Sequence, residues 1–197
     1  SQHFCEVAMY RNLDGYEWPQ EMDDIRARLA DEGITVGLYD GAQTLAYDGM
    51  CDRVGSEYWR GVLKQELRAW QRGVPCADAT LWADGIPPKG PRPLLMAICG
   101  DQIVGFTGPV DKQQSGRGWF TGICVDPLYG KRSIGALLFA MLLQAFVDEG
   151  ATFSTLFTGS VNHAQRIYLR AGFTPVRRFA VMVKPLTQGA QYEGVLF

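Results

Sequence analysis

The chain has 197 residues, enough for one large domain or a domain with an appended piece, and long enough to bury a full core. Its 47% apolar content and net charge of −2 give no basic excess pointing to nucleic acid and no charge run marking an interaction tail. No apolar run reaches the roughly 20 residues of a membrane span, and no signal-peptide layout opens the chain, which predicts a cytoplasmic protein or, since it starts Ser-Gln, a piece of one.

Residues 3–13 read as a strand, turned by Asp14-Gly15. Pro19 suits a first helical turn, and Met22, Ile25, Ala27 and Leu29 mark a short amphipathic helix ended by Gly33. Ile34, Val36 and Leu38 alternate as the next strand, closed by Asp40-Gly41, and residues 42–54 carry a weak helical pattern. Ser56 then caps a clear helix with Trp59, Val62, Leu63, Leu67 and Trp70 on one face, stopped by Gly73 and Pro75.

Residues 76–93 hold four prolines (Pro87, Pro88, Pro91, Pro93) and read equally as a substrate-side flap or a disordered insertion. Residues 94–99 and 102–108 form a hairpin around Gly100-Asp101. A turn near 112–118 leads to a strand over 119–125, a stop at Pro127, a polar glycine loop, and an apolar helix over 134–149 ended by Gly150. A strand at 152–158, a helix at 162–171 and a long strand at 174–186 follow, and the tail to Phe197 has room for one more. This order predicts an α/β fold, a mixed central sheet flanked by helices.

The five cysteines (Cys5, Cys51, Cys76, Cys99, Cys124) share no metal-ligand spacing and read as free thiols, three of them beside apolar residues. The loop before the apolar helix is more informative. Its N–H groups at 130–136 and the positive helix end read as a seat for phosphate or as a loop that merely turns a corner. Lys131 and Arg132 either add charge there or form a solvated loop face. It is not a nucleotide P-loop: Val125 and Arg132 stand where glycine and Ser/Thr are required.

The run Val125-Asp126-Pro127-Leu128-Tyr129-Gly130-Lys131-Arg132-Ser133-Ile134-Gly135-Ala136, with the apolar helix after it, resembles the acetyl-CoA-binding motif of the GCN5-related N-acetyltransferases (GNAT). That family favours Val-x-Pro, then Arg/Gln-x-x-Gly-x-Gly/Ala. Downstream, Ala164-Gln165-Arg166-Ile167-Tyr168-Leu169-Arg170-Ala171-Gly172-Phe173 resembles its second signature, a tyrosine-bearing helix followed by Gly-Phe, and the hairpin at 102–106 fits its early strands. The resemblance covers about 34–186, in order.

It implies a GNAT-like acyl-CoA N-acyltransferase fold, with acetyl-CoA as acyl-donor cosubstrate and no metal. The pantetheine arm would lie along Ile123, Cys124 and Val125, and the pyrophosphate on Gly130, Lys131, Arg132, Ser133, Ile134, Gly135 and Ala136. Asn162 would contact CoA, and Tyr168 would protonate the leaving thiolate. The acceptor would be a small-molecule or peptide primary amine, with neither nucleic acid nor membrane as partner. Gly130 stands where the family has Arg or Gln, Ser133 where it has its first loop glycine, and Asn162 one residue nearer Ala164 than usual. These departures carry an alternative: a non-catalytic acyl-CoA-binding or partner-binding domain with a degenerate pyrophosphate loop.

Without the resemblance, Tyr168 reads as a core or rim tyrosine, His163 as a surface or capping residue, and Trp59, Trp70 and Trp82 as core aromatics or as the lining of an acceptor pocket. Asp111 and Asp126 are the nearest carboxylates for a general base, and a water relay would serve as well. The predicted domain division is 1–33, a strand-helix extension, and 34–197, the GNAT-like domain. Met9-Tyr10-Arg11-Asn12-Leu13 echoes Met182-Val183-Lys184-Pro185-Leu186, so the extension reads as the tail of an upstream tandem domain, as a strand pairing in a homodimer, or as a chance match.

Overall fold

The computed structural model describes residues 2–183. The strand predicted for the tail and the last residues of the echo, 184–186, lie outside them. The elements in order are β1 (Gln2–Asn12), α1 (Glu21–Asp31), β2 (Ile34–Leu38), α2 (Asp48–Val54), α3 (Glu57–Arg72), β3 (Leu95–Cys99), β4 (Gln102–Thr107), β5 (Arg117–Trp119), β6 (Ile123–Val125), α4 (Ile134–Asp148), β7 (Phe153–Gly159), α5 (Gln165–Arg170) and β8 (Thr174–Val183).

The mixed sheet falls into two four-stranded halves, β2-β3-β4-β6 and β5-β7-β1-β8. The first is antiparallel throughout, and in the second only β5 and β7 run parallel. β1 sits inside the second half, with β7 on one side (Glu6↔Gly159 to Asn12↔Phe153) and β8 on the other (Gln2↔Val183 to Tyr10↔Thr174).

Local chemistry explains most of the elements. The Ser56 hydroxyl accepts the Trp59 N–H at 3.3 Å, and Gly73 closes α3 in the left-handed conformation. α4 is apolar around most of its circumference, with Leu137, Phe139, Leu142 and Phe146 buried, so it must lie between layers. Gly105 lets it sit close to the sheet: a Cβ there would stand 2.9 Å from Ile134 Cγ2 and 3.3 Å from Ala97 Cβ. Each of the buried phenylalanines contributes about 2–3 kcal/mol. α1, α4 and α5 share one core with Val7, Met9 and Leu156, and α2 and α3 build the other with Met96, Ile103 and Phe106.

Four local expectations change. The helix expected within 42–54 is only α2, beginning at Asp48. The helix expected over 162–171 starts at Gln165, because the Asn162 side chain accepts the Ala164 N–H at 2.9 Å and holds a turn there. The connection at 76–93 is packed rather than loose: Arg92, buried, donates to the Leu81 carbonyl, and the Trp82 indole donates to the Cys76 carbonyl at 2.9 Å. The strand expected over 119–125 is broken in two, and that break builds the site.

Candidate active site

β5 pairs with β7 from Arg117↔Phe153 to Trp119↔Thr155. After Trp119 the chain leaves β7, and β6 joins β4 instead, from Thr107↔Ile123 to Gly105↔Val125. β7 runs on to Gly159, so the two strands part like the arms of a V. Gly122 permits the departure. It takes φ +133°, and a Cβ there would stand 2.5 Å from the Trp59 ring. Thr107 Oγ1 and Thr121 Oγ1 secure the bend by donating to the Gly122 and Gly108 carbonyls at 2.7 and 2.5 Å.

A cavity of about 760 Å³ fills the opening. Ile123, Cys124 and Val125 line one wall, Phe157 to Asn162 another, and Trp59 and Leu81 also line it. Which backbone groups face the cavity follows from the ladder. The Asp126 N–H donates to the Val104 carbonyl at 2.9 Å. In an antiparallel pair the bonded residues alternate, so Cys124 exchanges bonds with Phe106, while Ile123 and Val125 turn N–H and C=O to the free edge. That edge can receive an extended amide chain as an added strand.

Tyr168 borders the same cavity, 4% exposed, its ring packed on Phe120 and Phe139 at centroid distances of 5.7 and 5.0 Å. Burial pushes its phenol up to about 12, so it stays protonated across the neutral range. Burial likewise pushes the Cys124 thiol up to about 12, which leaves it a poor nucleophile. Asn162 lines the cavity as well.

Beyond the end of β6 the loop runs into α4. The first bond of the helix comes from the Leu137 N–H to the Ser133 carbonyl, so the N–H groups of Ile134, Gly135 and Ala136 have no intrahelical partner. Lys131 and Ser133 take φ +62° and +66°, the left-handed conformation that favours glycine. The Ser133 hydroxyl does not cap α4, although it stands at the N-cap. Gly135 is where α4, α5 and β6 meet: a Cβ there would lie 3.1 Å from Ile167 Cδ1 and 3.6 Å from Val125 Cγ2.

Gly130, Lys131, Arg132 and Ser133 are exposed, and none of the loop residues 130–136 lines the cavity itself. Arg132 pairs with Glu32, and its carbonyl accepts from Arg28 Nη2 at 3.2 Å, so α1 braces the loop. The predicted residues thus fall into two groups, the cavity wall (Ile123, Cys124, Val125, Asn162, Tyr168) and the helix-opening loop, with Gly135 adjoining both.

Neither aspartate considered as a base faces the cavity. Asp126, fully buried, takes Arg53 Nε at 2.9 Å and Nη2 at 2.5 Å, and also accepts the Leu128 N–H at 3.0 Å. Asp111 accepts from Arg92 Nη1 at 3.1 Å and from its neighbour Lys112 N–H at 2.8 Å. Sequence reasoning missed Arg53, which lies in the weakly patterned 42–54, and the lining residue Glu6. His163 is exposed, as expected. Among the described residues no group of His, Cys, Asp or Glu is placed to hold a metal ion, and no helix is long and apolar enough to cross a membrane.

The family model for the acetyltransferase (GNAT) domain matches residues 77–181, just over half of the chain. The chain belongs to the GNAT acetyltransferase family. The match takes in the parted strands, the helix-opening loop and Tyr168.

Solved structures share the GNAT fold at low identity. A GCN5-related N-acetyltransferase from Sphaerobacter thermophilus superposes with a TM-score of 0.54 at 19% identity, over 90% of this chain and 50% of its own. The glucosamine N-acetyltransferase region of a fungal multi-domain GH3 β-N-acetylglucosaminidase gives 0.58 at 14%, over 89% of this chain and 20% of its own. A Drosophila protein gives 0.51 at 10%, over 91% and 50%. This GNAT chain therefore spans half the length of two of them and a fifth of the third. No curated protein matches its sequence significantly.

Proposed function

We propose that the chain is an N-acetyltransferase that moves an acetyl or acyl group from acetyl-CoA to a primary amine by direct attack. The observation that carries this reading is the V between β6 and β7, with a free strand edge on one arm and the Tyr168 phenol beside it.

The residues present fit acetyl-CoA. Ile123 and Val125 offer N–H and C=O groups to the amides of a pantetheine arm. The unpaired N–H groups opening α4, with Lys131 and Arg132 beside them, offer positive potential to a pyrophosphate. Asn162 stands on the opposite wall of the cavity. Bound acetyl-CoA supplies an acyl thioester that a free amine attacks directly. The wedge holds amine and thioester in line, which is the larger part of the catalytic advantage. Tyr168 gives its proton to the departing sulfur, and a phenol pushed up to about 12 is fully protonated at pH 7 and so has that proton to give. The neutral Cys124 thiol favours this single displacement over an acyl-enzyme.

Calorimetry with acetyl-CoA, followed by thiol release with an amine panel, tests the reading. Binding together with amine-dependent release supports it, and absence of binding overturns it. Ser133 motivates the second reading, a non-catalytic acyl-CoA-binding domain, because a side chain stands at a left-handed position of the loop. Binding without release across the panel is its signature. Free thiols throughout suit a reducing compartment, the basis for placing the protein in the cytoplasm.

A further inference from the structure

The cavity has a chemistry of its own. Tyr58, Trp59, Leu81, Trp119, Phe120 and Phe157 supply its walls. Among the described lining residues Glu6 is the one with a charged side chain.

Glu6 reaches the cavity because β1 is threaded between β7 and β8. Its cross-strand partner on β7 is Gly159, which has no side chain to cover it, and on β8 it is Phe179. Its side chain makes no ion pair or hydrogen bond among the described residues, and the residue is half-buried. Arg117 is committed elsewhere, donating to Thr155 Oγ1 at 3.2 Å and lying over the Trp119 ring at 5.2 Å. Arg177, opposite Ala8 on β8, shares the face of Glu6 but is exposed and forms no ion pair with it among the described residues.

A lone carboxylate in an aromatic enclosure selects for positive charge. A cation entering it gains the carboxylate directly and the faces of Trp and Tyr rings around it. An acidic acceptor meets like charge, and a polyhydroxylated one leaves its hydroxyls against rings that cannot bond them.

We propose that Glu6 is the recognition residue for the acceptor, and that the acceptor class is a cationic amine on a flat apolar body, an arylalkylamine. This rests on the acetyltransferase reading and adds the substrate class. Glu6 captures and orients the ammonium form, which passes one proton to solvent water before the neutral amine attacks, a step that Glu6 is not asked to perform.

The test uses the full chain with 2-phenylethylamine, tryptamine, glucosamine and glutamate as acceptors. Acetyl-CoA affinity is measured separately by calorimetry, so that failure of the acetyltransferase reading is seen on its own. The expected result is a kcat/KM for the two arylalkylamines at least tenfold above that for glucosamine, with glutamate inert. Glu6→Gln then raises the arylalkylamine KM about tenfold or more, with acetyl-CoA affinity and the thermal midpoint unchanged, and Glu6→Asp restores part of the loss. Should acetyl-CoA bind without turnover, calorimetric binding of 2-phenylethylamine to the acetyl-CoA-loaded protein, abolished in Glu6→Gln, is the expected result. Preference for glucosamine or glutamate, or an arylalkylamine KM or affinity indifferent to Glu6→Gln, overturns the inference even if acetyl-CoA binds and turns over.

Discussion

Arg53 grips Asp126 with two nitrogens, Nε at 2.9 Å and Nη2 at 2.5 Å, and so fastens α2 to the turn between β6 and the loop that opens α4. Burial alone would raise the Asp126 carboxyl, but the Arg53 hydrogen bonds, the Leu128 N–H and the Arg53 charge outweigh it and hold the group below its ordinary value. A depressed folded-state value contributes stability that is present above pH ~4 and lost as pH falls through the folded value. Asp126→Asn is expected to lower stability by about 1–2 kcal/mol in urea titrations at pH 7. It should also flatten the fall in stability of the parent protein below pH 4. An unchanged acid limb would show that the pair carries no proton linkage.

Tyr168→Phe separates chemistry from binding. Removal of one phenolic oxygen from a buried ring is expected to lower kcat about 100-fold with acetyl-CoA affinity unchanged. The phenol at about 12 also sets a linkage with the opposite sign. A raised value contributes stability that is complete below the unfolded value near 10 and is lost as pH rises toward 12. Stability measured from pH 9 to 11 should therefore fall more steeply in the parent than in the Phe variant.

The left-handed serine in the loop invites a gain-of-stability experiment. Ser133→Gly relieves the steric cost at φ +66° and is expected to stabilise the fold by about 0.5–1 kcal/mol while tightening acetyl-CoA binding. Ser133→Val places a β-branched side chain there and should do the opposite. Equal acetyl-CoA affinities across Gly, Ser and Val, by calorimetry, would exclude this turn from the binding surface.

Gly122→Ala tests the break that opens the V. The added methyl meets the Trp59 ring at 2.5 Å from a backbone conformation that side chains rarely adopt. A loss of about 2–3 kcal/mol is expected, with a shift in tryptophan emission reporting displacement of Trp59. Unaltered emission and stability would mean that the ring yields freely.

Elements with local causes were legible in the sequence. Ser56 and Gly73 bound α3, Gly100-Asp101 turns the hairpin, and the apolar run from Ile134 makes α4. The parting of β5 from β6 was not, because nothing near Gly122 distinguishes a glycine that ends one pairing and starts another. What decides it is the parallel register with β7, set by residues more than thirty positions downstream. The same holds for Arg92 and Glu66, 2.5 Å apart in the interior and carried by the proline-rich connection and by α3. Each looks like an ordinary surface charge until the fold brings them together. In the candidate site, the motif loop and Tyr168 were singled out by the family resemblance, whereas Glu6 needed the position of β1.

That position has a temporal side. β1 leaves the ribosome before either of its neighbours exists, and Phe153, opposite Asn12, is the nearest of its partners along the chain. Until then Val7, Met9 and Leu13 have no strand beside them to hold them in the core they finally share with α4. Contacts of such long sequence separation form slowly, because closing the intervening loop comes before any reward. Once seated, β1 is, among the described residues, the ladder that joins β8 to the rest of the sheet. The half-sheet bearing Glu6 therefore assembles late, and it locks shut from the middle rather than from an edge.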